Sequence, residues 1–211
     1  MNAHLHGFFR SSASWRVRIA LALKGIACTQ SSYKLRAGEQ RSEAFLKLNP
    51  QGLVPVLEID GTALTQSVAI VEYLNEIAPE PPLLGTTPLE RAQIRAFALA
   101  IACEIHPLQN LKVLNKIEQV TGSSEAGQQW AADINREGLE ACAGMLPRGG
   151  APFCFGDRPT LADICLVPQI ANARRFSVPI TWERIAQIEA NCLALPAFAD
   201  TAPERQPDFS A

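Results

Sequence analysis

The chain has 211 residues, 47% of them hydrophobic and 19% charged, with a formal net charge of -2; it is a globular protein with room for one large domain or two small ones. No lysine or arginine cluster points to nucleic acid, and no apolar run approaches the roughly 18 residues of a membrane span, so both partners are excluded. Cysteines at 28, 103, 142, 154, 165 and 192 form no Cys-x-x-Cys pair, and His4 and His6 find no third ligand nearby. Reduced thiols in a cytoplasmic protein are therefore expected, with no metal.

Leu5-His6-Gly7-Phe8-Phe9 reads as a strand, and the N-terminus runs straight into it, which predicts no leader peptide. Val17, Ile19, Ala20, Leu21 and Leu23 then read as a helix stopped at Lys24-Gly25. Between them Ser11, Ser12 and Ser14, flanked by Arg10 and Arg16, fill the turn at the helix start. Unpaired backbone N–H groups and the peptide dipoles make such a place attractive to anions. Serine is also a favoured N-cap, so a capping role and a binding role both fit these residues.

A second strand is expected near Thr29–Leu35, then a polar loop from Arg36 to Glu43 and a short helix through Ala44-Phe45-Leu46. Asn49-Pro50-Gln51-Gly52 signals a turn. Pro55 puts Leu53–Ile59 at a strand start or edge, and Asp60-Gly61 predicts a hairpin returning through Thr62-Ala63-Leu64. Gln66-Ser67 opens a helix over Val68–Leu74 with Ser67 as its expected cap. This order predicts an α/β sandwich over residues 1–80, its first two strands parallel.

Pro79, Pro81, Pro82 and Gly85 mark a linker at 81–86, and residues 87–211 read as all-helical. One long helix is expected over Leu89–Ile117, kinked at Pro107, and others over Glu125–Met145, Leu161–Ala173 and Thr181–Leu193. Thr160-x-x-Asp163 resembles a capping box ahead of the third. The tail from Pro203 is polar and is expected to be loose or draped on the surface. Basic residues outnumber acidic ones eight to six in residues 1–79, but are outnumbered eleven to fifteen beyond.

Three features of the first half suit a small peptide bearing carboxylates: the serine turn, Val54-Pro55 and Gln66-Ser67. A cis Val54-Pro55 bond would turn the Val54 N–H and C=O outward to pair with a peptide backbone; a trans bond at a strand edge is the commoner arrangement. Gln66-Ser67 is a second helix start with an amide and a hydroxyl, or an ordinary cap.

Ser11-Ser12-Ala13-Ser14-Trp15-Arg16-Val17-Arg18-Ile19-Ala20-Leu21 resembles the Ser-Ser-Cys-x-Trp-Arg-Val-Arg-Ile-Ala-Leu signature of zeta-class glutathione transferases, the class of the maleylacetoacetate and maleylpyruvate isomerases. Ala13 stands where that signature has Cys. The resemblance implies a thioredoxin-like α/β N-terminal domain, an all-α C-terminal domain, a homodimer, and glutathione as cofactor. It implies that Gln66 and Ser67 grip the γ-glutamyl carboxylate, that Val54 beside cis Pro55 pairs with the cysteinyl backbone, and that Gln40 lies near the glycyl end. Ser11, with Ser12 and Ser14 in the same turn, would face the thiol. His106 and Asn110 match a stretch that reaches the cofactor, a capped or buried histidine being the alternative for His106. Arg10 and Arg175 would take the carboxylates of a diketo acid substrate, or else be solvated surface arginines. Leu111-Lys112 lacks the arginine pair of some maleylpyruvate isomerases, which favours maleylacetoacetate.

The implied reaction is reversible thiolate addition to a cis double bond, which permits rotation to trans. A free thiol of pKa about 8.5 is only about 3% ionised at pH 7. Lowering that pKa by about two units takes about 2.7 kcal/mol. A hydroxyl donating to the thiolate supplies about 1.5–3 kcal/mol, and a helix N-terminus about 0.3–1. One serine at a helix start is enough, with no histidine base. A general glutathione transferase or peroxidase, and a non-catalytic interaction module of the same fold, are the rival readings. The absence of a thiol in the serine turn argues against a thioredoxin-type redox enzyme.

Overall fold

The computed structural model describes residues 2–209. Its strands are β1 (Ala3–Gly7), β2 (Thr29–Ser32), β3 (Val56–Ile59) and β4 (Thr62–Thr65), in one mixed sheet of order β2-β1-β3-β4. β1 and β2 run parallel, with His4 opposite Thr29. β1 and β3 run antiparallel, with His6 opposite Val56. The two central strands carry the apolar residues, and Leu5, Val56 and Leu57 are wholly buried. The polar strands β2 and β4 take the edges. Pro55 sits just ahead of β3, where its missing N–H leaves no gap in the ladder. At the β3–β4 hairpin Asp60 and Gly61 both have positive φ, 46° and 83°, as a two-residue primed turn requires.

The connection between parallel strands must cross over, and helix α1 (Ser12–Leu23) makes it. Ser12 through Leu21 are all buried, polar residues included. After α2 (Glu43–Leu48) and the hairpin, α3 (Ser67–Ile77) packs against α1. The expected cap of α3 is corrected by one position. Gln66 is the cap, with φ 68°, and Ser67 is the first helical residue.

The C-terminal stretch also differs from expectation. Contacts group residues 194–209 with residues 2–83, and leave Leu84–Leu193 as a separate unit. The second domain expected over 87–211 thus loses its C-terminal stretch. Of the two alternatives for the tail from Pro203, loose or draped on the surface, the Asp208 contact bears out the second, and the residues just before the tail are anchored as well. The Trp15 indole N–H donates to Thr201 Oγ1 at 3.0 Å, Arg18 Nε donates to the Thr201 carbonyl at 3.1 Å, and the Phe9 N–H donates to Asp208 Oδ2 at 2.9 Å. Phe198, in the short helix that opens this stretch, is fully buried.

Leu84–Leu193 is helical. Helix α4 (Pro88–Leu99) opens on a Thr87–Glu90 capping box. The single helix expected over Leu89–Ile117 is broken into parts. A π-helical segment, Ala100–Ile105, follows α4, with the His106 N–H donating to the Ile101 carbonyl at 2.9 Å. A 3₁₀ turn at Pro107–Gln109 leads into α5 (Leu111–Thr121), capped by the Asn110 side chain. Then come α6 (Ser124–Met145), α7 (Leu161–Arg175) and α8 (Glu183–Leu193). The Thr160–Asp163 capping box is present at α7. Asp163 is fully buried, and accepts from the Cys154 and Thr160 N–H groups, both at 2.8 Å.

Candidate functional site

The serine turn is the start of α1, with its first helical residues under β1. Ser11 is the N-cap: its Oγ accepts from the Ser14 N–H at 3.2 Å, and the residue is partly exposed. The cap does not compete with binding, because it uses only an acceptor position. The Ser11 hydroxyl hydrogen has no acceptor among the described residues, so it is left to donate outward. Ser12 is buried at the first helical position. Ser14 is corrected: it is fully buried, its hydroxyl lies against Gly7 of β1, and its N–H is taken by Ser11. A Cβ on Gly7 would come within 3.2 Å of Ser14 Oγ, so the strand and the turn approach closely here because residue 7 is glycine. Arg10 is exposed, with its guanidinium 5.2 Å from the Phe9 ring centre.

The start of α3 repeats the pattern. Ser67 is 7% exposed, and its Oγ accepts from Arg16 Nη1 at 3.3 Å. Its hydroxyl hydrogen likewise has no acceptor among the described residues. Gln66 is exposed and donates from Nε2 to Gln51 Oε1 at 2.9 Å. Gln51 belongs to the turn before Val54. The Val54-Pro55 bond is cis, and the Val54 N–H and C=O make no hydrogen bond among the described residues. On the other side of that turn, a Cβ on Gly52 would lie 3.2 Å from the Gln40 carbonyl. Gln40 has a buried Oε1 with no hydrogen-bond partner, while its Nε2 donates to the Leu35 carbonyl at 3.2 Å. Contacts thus link Gln66 to the turn before Val54, and Ser67 through Arg16 to the helix that begins at Ser11.

His106, Asn110 and Arg175 belong to the helical unit. His106 is partly buried and follows the π-helical segment. The Asn110 side-chain oxygen accepts from the Leu111 N–H at 2.7 Å. Arg175 is exposed in the last turn of α7. Its neighbour Arg174 is engaged with Glu189 through both terminal nitrogens, one of them at 2.6 Å. A cavity of about 330 Å³ lies elsewhere in the first unit, lined in part by Arg18, Cys28, Thr201 and Arg205. Of its lining, Arg18 is already satisfied by the Phe9 and Thr201 carbonyls, and burial pushes the Cys28 thiol up to about 11.

Two helix starts with serine hydroxyls whose hydrogens have no acceptor among the described residues, and an unpaired backbone edge beside a cis proline, are features of the kind that suit a small anionic peptide. The glutathione S-transferase N-terminal domain profile matches residues 5–82, and the C-terminal domain profile matches residues 128–189. The chain belongs to the glutathione S-transferase family. It is 45% identical to the maleylacetoacetate isomerase of Pseudomonas aeruginosa, over 98% of this chain and 99% of that one. Among solved structures, a holo maleyl pyruvate isomerase described as a bacterial zeta-class glutathione S-transferase superposes with a TM-score of 0.95 at 40% identity, covering 98% of this chain and 100% of that one. The maleylacetoacetate isomerase of Anaeromyxobacter dehalogenans, solved with bound glutathione in its active site, superposes at 0.89 and 39% identity, covering 98% and 97%. The glutathione transferase N-terminal domain is therefore the unit that holds both serine-bearing helix starts, and the family's C-terminal domain is helical here as expected.

Arg16 and Gln51 were given no role by the sequence. Gln51 sits in a turn signal that explains itself, and nothing in its spacing points to Gln66. Arg16 flanks the serine turn, but its direction, into the domain rather than toward the turn's open side, depends on how α1 packs.

Proposed function

We infer that this chain is a glutathione-dependent cis–trans isomerase of maleyl diketo acids, acting on maleylacetoacetate to give fumarylacetoacetate. The observation that carries the reading is the Ser11 hydroxyl, which caps α1 with an acceptor position and keeps its hydrogen for a ligand. Glutathione is the cofactor, and the residues present fit it. Its thiolate, when bound, adds reversibly to the substrate's cis double bond and so permits rotation.

The chain's own residues hold and orient. Ser11 donates to the sulfur at the positive end of α1, where one such bond and the helix start together account for about two units of thiol acidification. Val54 offers its free N–H and C=O to the cysteinyl backbone, and Gln66-Ser67 take the γ-glutamyl carboxylate. Gln40 stands at the glycyl end. Arg10 adjoins the serine turn and takes a substrate carboxylate; Arg175 is the substrate candidate of the helical unit, and His106 and Asn110 are its candidates for holding the cofactor. Ser14 is left out, because it faces the strand. We propose further that the protein works as a homodimer in the cytoplasm; the exposed Leu89, Leu99 and Val120 of the helical unit support an apolar contact surface.

Maleylpyruvate is the second substrate reading, favoured by the 0.95 superposition on a maleyl pyruvate isomerase. The deciding assay follows the ultraviolet loss of each diketo acid with glutathione in catalytic amount. Turnover of maleylacetoacetate without net loss of glutathione is expected. Stoichiometric consumption of glutathione would make the protein a transferase, and failure to bind glutathione would make it an interaction module.

A further inference from the structure

The turn that delivers Ser11 to α1 is gripped from outside by two charged side chains. The Ser11 N–H donates to the Phe8 carbonyl at 3.0 Å, so residues 8–11 form a β-turn with Phe9 and Arg10 at its centre. The Phe9 N–H donates to Asp208 Oδ2 at 2.9 Å, and the Phe9 carbonyl accepts from Arg18 Nη2 at 3.0 Å. Both are charge-assisted bonds, which are shorter and stronger than neutral ones. The two charges also support each other: burial pushes the Arg18 guanidinium down to about 10, and the Asp208 carboxylate opposes that shift. Asp208 is itself fixed by the Ser32 hydroxyl at the end of β2, and the Phe209 ring stands edge-on to Phe9, with centroids 5.6 Å apart. Capping α1 requires none of this. A helix start needs its cap, and Ser11 supplies that alone. What the grip fixes is the direction of the peptides on either side of Phe9, and so the backbone angles at which the chain enters α1, φ -70° and ψ 114° at Ser11. The place of the Ser11 hydroxyl follows from those angles.

We propose that Asp208 is a positioning residue for the thiolate: through the Phe9 N–H it holds the Ser11 hydroxyl where a bound sulfur can take its hydrogen. The inference rests on the glutathione reading above and adds to it a group from the C-terminal stretch. The hydrogen bonds of Asp208 go to Phe9 and Ser32, so its effect on the sulfur passes through Ser11.

The test titrates the thiol of glutathione bound to the full-length protein, read from the ultraviolet absorbance of the thiolate. Asp208→Ala should raise that pKa by about one unit, which from a value near 6.5 cuts the thiolate about threefold at pH 7 and leaves it unchanged near pH 9. The fall in kcat should follow the same pH profile. Asp208→Asn keeps an acceptor but loses the charge, and should shift the thiol less. Ser32→Ala removes the other partner of Asp208, and should lower Tm without moving the thiol. A double-mutant cycle then asks whether the effect runs through Ser11. In a Ser11→Ala background Asp208→Ala should add no further shift, because the hydroxyl it positions is gone. Should Asp208→Ala not fold, Asp208→Asn replaces it in the cycle. A thiol pKa that neither Asp208 substitution moves, or a shift that persists in full without the Ser11 hydroxyl, would overturn the proposal while leaving the function intact. A wild type that binds no glutathione would remove the function and this inference together.

Discussion

Ser11→Ala removes one oxygen with two roles, and the two can be measured apart. As a cap, Ser11 accepts the Ser14 N–H at 3.2 Å; its loss costs about 1 kcal/mol of stability, or about 2–4 °C in Tm for a chain of this size. As a donor to the bound thiolate it contributes about 1.5–3 kcal/mol, which is about one to two pKa units. A bound thiol held about two units below the free value near 8.5 is mostly ionised at pH 7. Raising it by the middle of that range cuts the thiolate, and the rate, by about tenfold at pH 7, a loss that shrinks as pH approaches 9. Ser11→Gly separates the effects, since glycine is a tolerable cap and costs only a few tenths of a kcal/mol. Both variants should show the same raised thiol pKa, read from the ultraviolet absorbance of the bound thiolate. Only Ser11→Ala should show the full fall in Tm. A thiolate titration that Ser11→Ala leaves unmoved would refute the assignment, whatever happens to stability.

Cys28, Cys142, Cys154 and Cys192 are all pushed upward by burial, Cys28 to about 11 and Cys142 to about 12. They therefore remain protonated through neutral pH, and a thiol reagent at pH 8 should label the exposed Cys103 quickly, the half-buried Cys28 slowly, and Cys142, Cys154 and Cys192 only after denaturation. Gly138→Ala would place a Cβ 2.4 Å from Ile105 Cγ1 and Cδ1, beside the π-helical segment; a loss of about 1–3 kcal/mol is expected in denaturant titration. Asp208→Ala leaves the Phe9 N–H and the Ser32 hydroxyl without their shared acceptor and should lower both Tm and kcat, since Phe9 lies two residues before Ser11. Arg175→Ala should raise the KM for the diketo acid while leaving the Kd for glutathione unchanged in calorimetry.

What the sequence made readable was whatever depends on short-range order. The strand–turn–helix at Ser11, the Asp60-Gly61 hairpin and the Thr160–Asp163 box each rest on residues within a few positions of one another. What it hid depends on contacts between distant segments. Ser67 is a good cap by type, yet it is the first helical residue and its oxygen is taken by Arg16, fifty-one positions away, while Gln66 stands at the cap position with no side-chain capping bond. Ser14 belongs to the serine turn by composition, and only the approach of Gly7 shows that it faces inward. Apolar spacing from Ile94 through Ile105 is the same for a continuous helix and for one with a π-helical segment, so the break before His106 left no mark in the pattern. The tail has no periodic apolar face, and its anchors are single polar groups at Thr201 and Asp208.

Those anchors bear on how the protein is made. The ribosome delivers residues 2–83 of the α/β unit first and residues 194–209 only after the whole helical unit. Until residues 201–208 have been made, Trp15 and Arg18 lack the partners that Thr201 gives them, and the Phe9 N–H lacks Asp208. A nascent chain stalled before Thr201 would hold the start of the first helix and the loop ahead of Ser11 less firmly, so this end of the α/β unit is the last to set.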